Sequence, residues 1–449
     1  MSTPNKPVRL GGTAERTRVP RWTPEADKLE IAYAAAYIRS RMWEAGPGEG
    51  GIELSTGLTM DASVLEAFGA EVAKFATEFG AVHAHGHHQV VVPVSNGTHS
   101  IRLALQALSL TAGDLGLRAP NVDGDEVIVP ALTWQATAGA ALARNLVPVL
   151  VDVLPGTLCI DPVAIEAAIT DRTVAIIPVH LYNRMADMVA INQIAQRHGI
   201  AVIEDCAHAH GAVNLALPAG TGDCVISSWS FQGSKVITGG EGGALMASDR
   251  RIIDQLCSLA TCGRTIGTSQ PLQAANDRMA GIVAALLRGQ VRRFTEQSET
   301  CRATFADLDA VARDLPGIWA MDAQPDVTYP HYKWAFRFRE EAWPHLSLCQ
   351  LQMLLEEELR CEVARTYEPL TSTGLYTPQS DPMFWGLDEG KFVRRVDPGR
   401  FMAPQATYAY RSVLTLEHAV GLDRSFSVAF DRTIHKLHRY QAELAVALG

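Results

Sequence analysis

The chain has 449 residues, 47% hydrophobic and 20% charged, with a net charge of −10 from 39 basic and 49 acidic side chains. That balance is ordinary for a globular chain long enough for a large domain and a smaller companion, and the acidic excess points away from nucleic acid and anionic membrane. The first twenty residues lack the apolar core of a signal peptide and no apolar run approaches the ~18 residues of a membrane span, so a cytoplasmic protein is expected.

Residues 25–38 read as a helix, followed by the flexible run Gly46–Gly51. Gly46, Gly48 and Gly51 satisfy GxGxxG, but no strand precedes them, so a loop is the better reading. Leu65, Phe68, Val72, Phe75 and Phe79 form the stripe of one amphipathic helix over 64–79. His83, His85, His87 and His88 invite a metal hypothesis, but no carboxylate or cysteine adjoins them and a polar connection is expected. The eight cysteines are scattered without CxxC spacing and read as reduced, mostly buried thiols.

The pattern then becomes regular. Strand-length apolar runs occur at 90–94, 126–129, 147–151, 174–179, 201–204, 225–229 and 244–247, with helical stretches at 98–109, 135–144, 162–169 and 185–198. This alternation predicts an α/β fold with a mostly parallel sheet covered on both faces. Ligands in such sheets collect at the carboxyl ends of the strands.

The residues just after each strand are therefore the candidates for chemistry. Ser95-Asn96-Gly97-Thr98 opens a helix, either as a phosphate cradle or as a plain N-cap. Trp134 is either core or a surface for stacking a planar ring. Asp205 is either an N-cap or a buried carboxylate awaiting a cation such as a protonated ring nitrogen. Ser230 follows the sixth run, and Lys235 lies between it and the cluster Gly239, Gly240, Gly242 and Gly243. Glycines of that kind let backbone approach a ligand closely.

Beyond Arg250 the sequence turns helical, over 251–260 and then 279–310 with a break near Gly281 and Gly289. From about 311 it is mixed: 328–339 alternates as a strand, 349–359 is helical, and 426–448 is a final amphipathic helix. The expected organisation is a segment 1–62 packing with the small domain, a large cofactor domain 63–290 and a small α+β domain 291–449.

A phosphate cradle, a stacking aromatic, an acid for a ring nitrogen and an amine together meet the needs of pyridoxal 5′-phosphate (PLP). Lys235 is then the Schiff-base lysine and proton carrier, and Asp205 keeps the pyridine nitrogen protonated.

Four ordered motifs carry a resemblance: 124–140 (GDEVIVPALTWQATAGA), 178–188 (PVHLYNRMADM), 202–212 (VIEDCAHAHGA) and 230–244 (SFQGSKVITGGEGGA). Together they resemble the DegT/DnrJ/StrS aminotransferases, which implies the fold type I PLP-dependent transferase architecture. The resemblance implies that Trp134 stacks on the cofactor ring, Asp205 meets its nitrogen, His208 its phenolic oxygen, and Gly97, Thr98 and Ser230 its phosphate. Asn276, in NDRM, resembles the asparagine of NYRMSE that reaches the phosphate of a neighbouring subunit, which implies a homodimer with shared sites. Asp277 and Gly281 depart from that motif. The linker 115–124 is also longer than usual.

SFQxSK with Thr366–Leu370 resembles the cyclitol branch, which uses L-glutamine to aminate scyllo-inosose and 2-deoxy-scyllo-inosose in aminoglycoside-type pathways. That implies an amino donor (L-glutamine or L-glutamate) and a cyclic polyol ketone, with His180, Tyr182, Tyr367 and Glu368 as hydroxyl contacts or structural packing. The alternatives are an aminodehydroshikimate-type aminobenzoate synthase, a nucleotide-keto-sugar aminotransferase, and a non-catalytic scaffold, against which the intact Lys235, Asp205 and Ser230 count. No metal is expected.

Overall fold

The computed structural model describes residues 6–16, 28–41, 43, 58–84, 86–120, 124–267, 269–382 and 391–448. The glycine run 46–51 and His85 lie outside the described residues, as do 25–27, 121–123 and 449. In chain order the strands are β1 (Val90–Val94), β2 (Glu126–Pro130), β3 (Val147–Val151), β4 (Thr173–Ile176), β5 (Ala201–Asp205), β6 (Val213–Asn214), β7 (Leu217–Pro218), β8 (Ile226–Ser230) and β9 (Gly243–Ala247). They continue with β10 (Ile318–Ala320), β11 (Val327–Thr328), β12 (Lys333–Phe338), β13 (Val363–Arg365) and β14 (Val413–Glu417).

Seven strands form the central sheet in the order β1-β9-β8-β5-β4-β2-β3. β9 runs antiparallel to both neighbours, while the pairs from β8 across to β3 are parallel. The expected mostly parallel sheet is therefore present. Its strands are apolar along their length because helices cover both faces, leaving no polar side to alternate with. Parallel pairing also puts Pro130, Asp205 and Ser230 at the same edge of the sheet.

The helices between strands are set by local caps. Asp161, Asp187 and Asp249 each accept a backbone N–H in the first turn of the helix that follows. Gly199 closes the helix Met188–His198 in the left-handed conformation.

Three expected helices differ. The run 64–79 is two helices, Ala62–Phe68 and Ala70–His83, because Gly69 sits at φ 80°, ψ 172°, where an L side chain is strained. Gly289 breaks nothing: the helix Gly281–Ala312 runs through it, and a Cβ there would lie 2.8 Å from Glu30 Cδ. The glycine makes room for a buried glutamate that Gln290 and Arg293 hold at 2.8 Å. The last helix divides at Tyr440 into Phe426–Arg439 and Gln441–Leu448.

A second sheet, β10-β12-β14-β13, is wholly antiparallel and carries its own apolar cluster around Trp334, Phe336 and Phe430. Full burial of each such aromatic is worth roughly 2–3 kcal/mol. The helix Gly281–Ala312 joins this cluster to the central one, and the expected boundary at 290/291 falls inside it. Residues 8 and 15 bond to Glu358 and Lys436, while the helix Lys28–Ser40 lies along Gly281–Ala312. β11, β6 and β7 form a small third sheet.

All eight cysteines are free, four of them buried. His83 is buried and stacks on Phe79 with ring centroids 4.0 Å apart, whereas His87 and His88 are exposed. Those three do not converge on a point. Among the described residues no helix is long and apolar enough to cross a membrane.

Candidate active site

A cleft of about 860 Å³ opens where the carboxyl ends of β5 and β8 meet the start of the helix Gly97–Thr111. Gly97, Thr98, Trp134, Asp205, His208, Ser230, Lys235 and Tyr367 line it. Two glycines bring the helix start that close. A Cβ on Gly97 would lie 2.9 Å from Ser230 Cβ, and one on Gly243 would lie 2.4 Å from the Asn96 carbonyl carbon. Asn96 caps the helix by accepting from the His99 N–H at 2.8 Å. The first-turn amides of Gly97 and Thr98 have no partner within the helix and share the cleft lining with Ser230, at the positive end of the helix dipole.

Asp205 ends β5 and is buried. One carboxylate oxygen accepts from Thr137 Oγ1 at 3.0 Å and the other from the Ala207 N–H at 3.1 Å. Burial pushes its pKa up, against the pull of those two donors and of Lys235. A carboxylate so placed is stabilised by any cation that enters the cleft. Lys235 is 8% exposed, and burial lowers its pKa. Its Nζ stands 4.5 Å over the Tyr332 ring centroid.

His208 stacks on Tyr332, with ring centroids 4.0 Å apart. Its Nδ1 accepts the Tyr182 backbone N–H at 3.2 Å, which leaves the ring proton on Nε2. Burial first, and then the charge of Lys235, hold its pKa well below the ordinary value, so the ring is neutral. Tyr182 makes that contact from a left-handed backbone, φ 56°, costly for a bulky residue. The strain is offset at its other end, where the Tyr182 hydroxyl lies 3.0 Å from Thr366 Oγ1 and accepts the Tyr367 N–H at 3.0 Å.

Trp134 is not core: it is 48% exposed in the cleft mouth, its ring 5.8 Å from that of Tyr367. Four other sequence candidates are not in the cleft. His180 is fully buried on the opposite face of the sheet, with Nε2 donating to Glu204 at 2.7 Å and Nδ1 accepting from the Ala186 N–H. Tyr182 is buried behind His208, and Glu368 is half-buried outside the lining. Asn276 is exposed and lines a different groove of about 780 Å³ with Tyr37, Ile38 and Trp43.

The sequence reading missed Thr137, Tyr332, Lys333 and Glu417, all of which line the cleft. Tyr332 and Lys333 stand in the run 328–339, where only strand alternation was read. A hydroxyl, Tyr332 Oη, reaches Ser234 Oγ at 3.0 Å beside Lys235.

Residues 57–383 match the model of the DegT/DnrJ/EryC1/StrS aminotransferase family. The chain is 34% identical to an L-glutamine:2-deoxy-scyllo-inosose aminotransferase of Streptomyces lividus over 91% of this chain and 98% of that protein. It is 37% identical to an L-glutamine:scyllo-inosose aminotransferase of Streptomyces griseus over 74% of this chain and 78% of that protein. A solved structure of 3-amino-5-hydroxybenzoic acid synthase superposes with a TM-score of 0.72 at 26% identity, covering 97% of this chain and all of that one.

Proposed function

The chain belongs to the DegT/DnrJ/EryC1/StrS aminotransferase family, and we propose that it is a PLP-dependent enzyme that moves the amino group of L-glutamine onto a neutral cyclic polyol ketone of the scyllo-inosose class. The observation that carries this reading is the convergence of a buried lysine, a buried carboxylate held by two neutral donors, and a glycine-opened helix start on one cleft.

These residues fit the cofactor. Gly97, Thr98 and Ser230 would hold its phosphate, Asp205 its ring nitrogen, His208 its phenolic oxygen, Trp134 its ring face and Lys235 its aldehyde carbon. Bound there, PLP supplies an electron sink for the carbon that bears the transferred amine. Asp205 keeps a proton on the ring nitrogen, and Thr137 and Ala207 hold the carboxylate in place for that task. Lys235, with its pKa lowered by burial, takes the proton from the donor's α-carbon and returns it on the other side of the transfer. His208 presents its Nε2–H as a fixed donor.

Charge supports a neutral acceptor over a nucleotide-linked sugar. Among the described residues, the lining holds four carboxylates (Asp205, Glu241, Glu362 and Glu417), two lysines and no arginine. A pyrophosphate-bearing substrate would meet net repulsion there. The two Streptomyces relatives, which aminate scyllo-inosose and its 2-deoxy form, point the same way.

The proposal includes a second copy of the chain. Asn276 lies outside its own cleft, and beside it Ile38 and Trp43 are 53% and 62% exposed. An asparagine carried on an apolar surface is suited to reach a partner's phosphate site. Co-expression of Lys235→Ala with Asn276→Asp chains is expected to recover part of the activity that each variant lacks alone. No recovery, with dimers formed, would remove the shared-site element.

The reaction is tested by incubating the holoenzyme with L-glutamine labelled at its α-amine and, in turn, scyllo-inosose, 2-deoxy-scyllo-inosose and a nucleotide-linked keto-sugar. Label in an amino-cyclitol is expected. Label only in the keto-sugar, or an aromatic product from an amino-dehydroshikimate, would overturn the reading.

A further inference from the structure

The amino donor and the keto acceptor must use one cleft in turn, yet they differ in charge: the donor carries an α-carboxylate and the acceptor only hydroxyls. Lys235 is committed to the chemistry, which leaves Lys333 as the other ammonium group in the lining among the described residues. His99, also in the lining, is already held by Asp277 at 2.8 Å.

Lys333 opens β12 and Glu417 ends β14 directly opposite it. Its Nζ lies 2.6 Å from Glu417 Oε1, with only 15% and 14% of the two side chains exposed. Burial lowers the Lys333 pKa, but Tyr332 and Glu417 outweigh it, and the group stays charged. Lys333 Nζ lies 5.6 Å and Lys235 Nζ 4.5 Å from the centroid of the same Tyr332 ring. The two amines thus share one cleft beside one ring, close enough for the charge of Lys333 to act on Lys235.

The other Glu417 oxygen, Oε2, is buried with no protein partner. A buried carboxylate oxygen left unpaired is destabilising, and a substrate hydroxyl would relieve that cost. An ammonium has three donors, so Lys333 can keep Glu417 and still bind a second carboxylate.

Resting on the aminotransferase reading above, we propose that the Lys333–Glu417 pair reads both substrates: Lys333 holds the α-carboxylate of the amino donor, and Glu417 Oε2 accepts a hydroxyl of the keto acceptor. The pair thereby serves two ligands of different charge without moving a main-chain element.

The test uses the holoenzyme, wild type and the variants Lys333→Gln, Lys333→Arg, Glu417→Gln and the double variant K333Q/E417Q. Each half-reaction is followed separately by stopped flow, and calorimetry measures binding of glutaramate, which has the donor's carboxylate and amide but no amine. Lys333→Gln is expected to weaken glutaramate binding and L-glutamine saturation by roughly 30-fold or more, the scale of a charge-assisted hydrogen bond, with acceptor saturation changed less than about 3-fold. Lys333→Arg should restore most of the donor affinity. Glu417→Gln should weaken acceptor saturation and spare glutaramate. The double variant, which leaves no buried unpaired charge, provides the same readouts if a single variant misfolds. Unchanged glutaramate binding in every Lys333→Gln background, or equal losses in both half-reactions, would overturn this inference while leaving the reaction intact. A wild-type enzyme that transfers no amine from L-glutamine would overturn both.

Discussion

Tyr182 gives its backbone N–H to Nδ1 of His208 across 3.2 Å, from a left-handed backbone position that disfavours so large a side chain. The contact settles which nitrogen of His208 carries the proton. Its Nε2–H then faces the cleft as a donor, so His208→Gln, which can keep an N–H near that position, should retain activity within about 10-fold. His208→Ala should lose roughly 10²–10³-fold, the typical loss for a preorganised donor. Steady-state kcat for the three proteins checks this. Equal losses in both variants would mean that the ring, and not its N–H, is what matters.

Removing the charge of Asp205 separates its two roles. Asp205→Asn can still accept from the Ala207 N–H with its amide oxygen and donate its NH2 to Thr137 Oγ1, so the fold should hold, with a melting temperature within a few degrees of wild type. The rate should fall by at least about 10²-fold, because an amide cannot stabilise a positive ring nitrogen. A fully active Asp205→Asn protein would contradict the role proposed for the carboxylate.

Gly243 permits the close approach of Asn96, and a methyl group there meets backbone, which cannot swing away. Gly243→Ala is expected to cost about 1–3 kcal/mol in urea unfolding and to weaken PLP binding by roughly 10-fold or more. Ser230→Ala, by contrast, should weaken PLP binding with little change in stability. Fluorescence titration of the apo-proteins measures PLP binding for both.

Four buried histidines, His208, His210, His331 and His418, have pKa values lowered mainly by burial, that of His418 to about 3. In the unfolded chain they titrate near pH 6.5. Above that pH both states are neutral and the groups contribute nothing to the balance. As pH falls below it, the unfolded state binds protons that the folded state refuses, and stability drops by up to about 1.4 kcal/mol per pH unit for each group. Unfolding free energy should therefore fall steadily from pH 6.5 to pH 4.5. His418→Gln should make that fall shallower by about one proton's worth. An identical slope in the variant would show that His418 titrates normally in the folded state.

The central sheet was legible because its strands are buried on both faces and their composition alone betrays them, as in Val90–Val94 and Val147–Val151. The residues at their carboxyl ends followed from topology. Gly69 was not read as a break because the apolar stripe continues through it; only the backbone conformation separates the two helices. Thr137 was invisible because nothing in a helical stretch marks the hydroxyl that faces a carboxylate 68 positions away. Lys333 and Glu417 were missed for a related reason. They are 84 positions apart and belong to the second sheet, and alternation along a strand tells which residues share a face but not which cleft that face borders. Misplacement of His180 has a simpler origin: its neighbour at the strand end faces the cleft, and side chains alternate across a sheet.

The role of Lys235 turns on which amine joins the cofactor, and among the described residues the cleft lining holds two candidates. Treating the PLP-loaded protein with borohydride fixes the cofactor to its lysine, and peptide mass spectrometry then locates it. The pyridoxyl group is expected on Lys235, with none trapped in Lys235→Ala. A label on Lys333, or a wild-type protein that binds PLP and traps none, would contradict it.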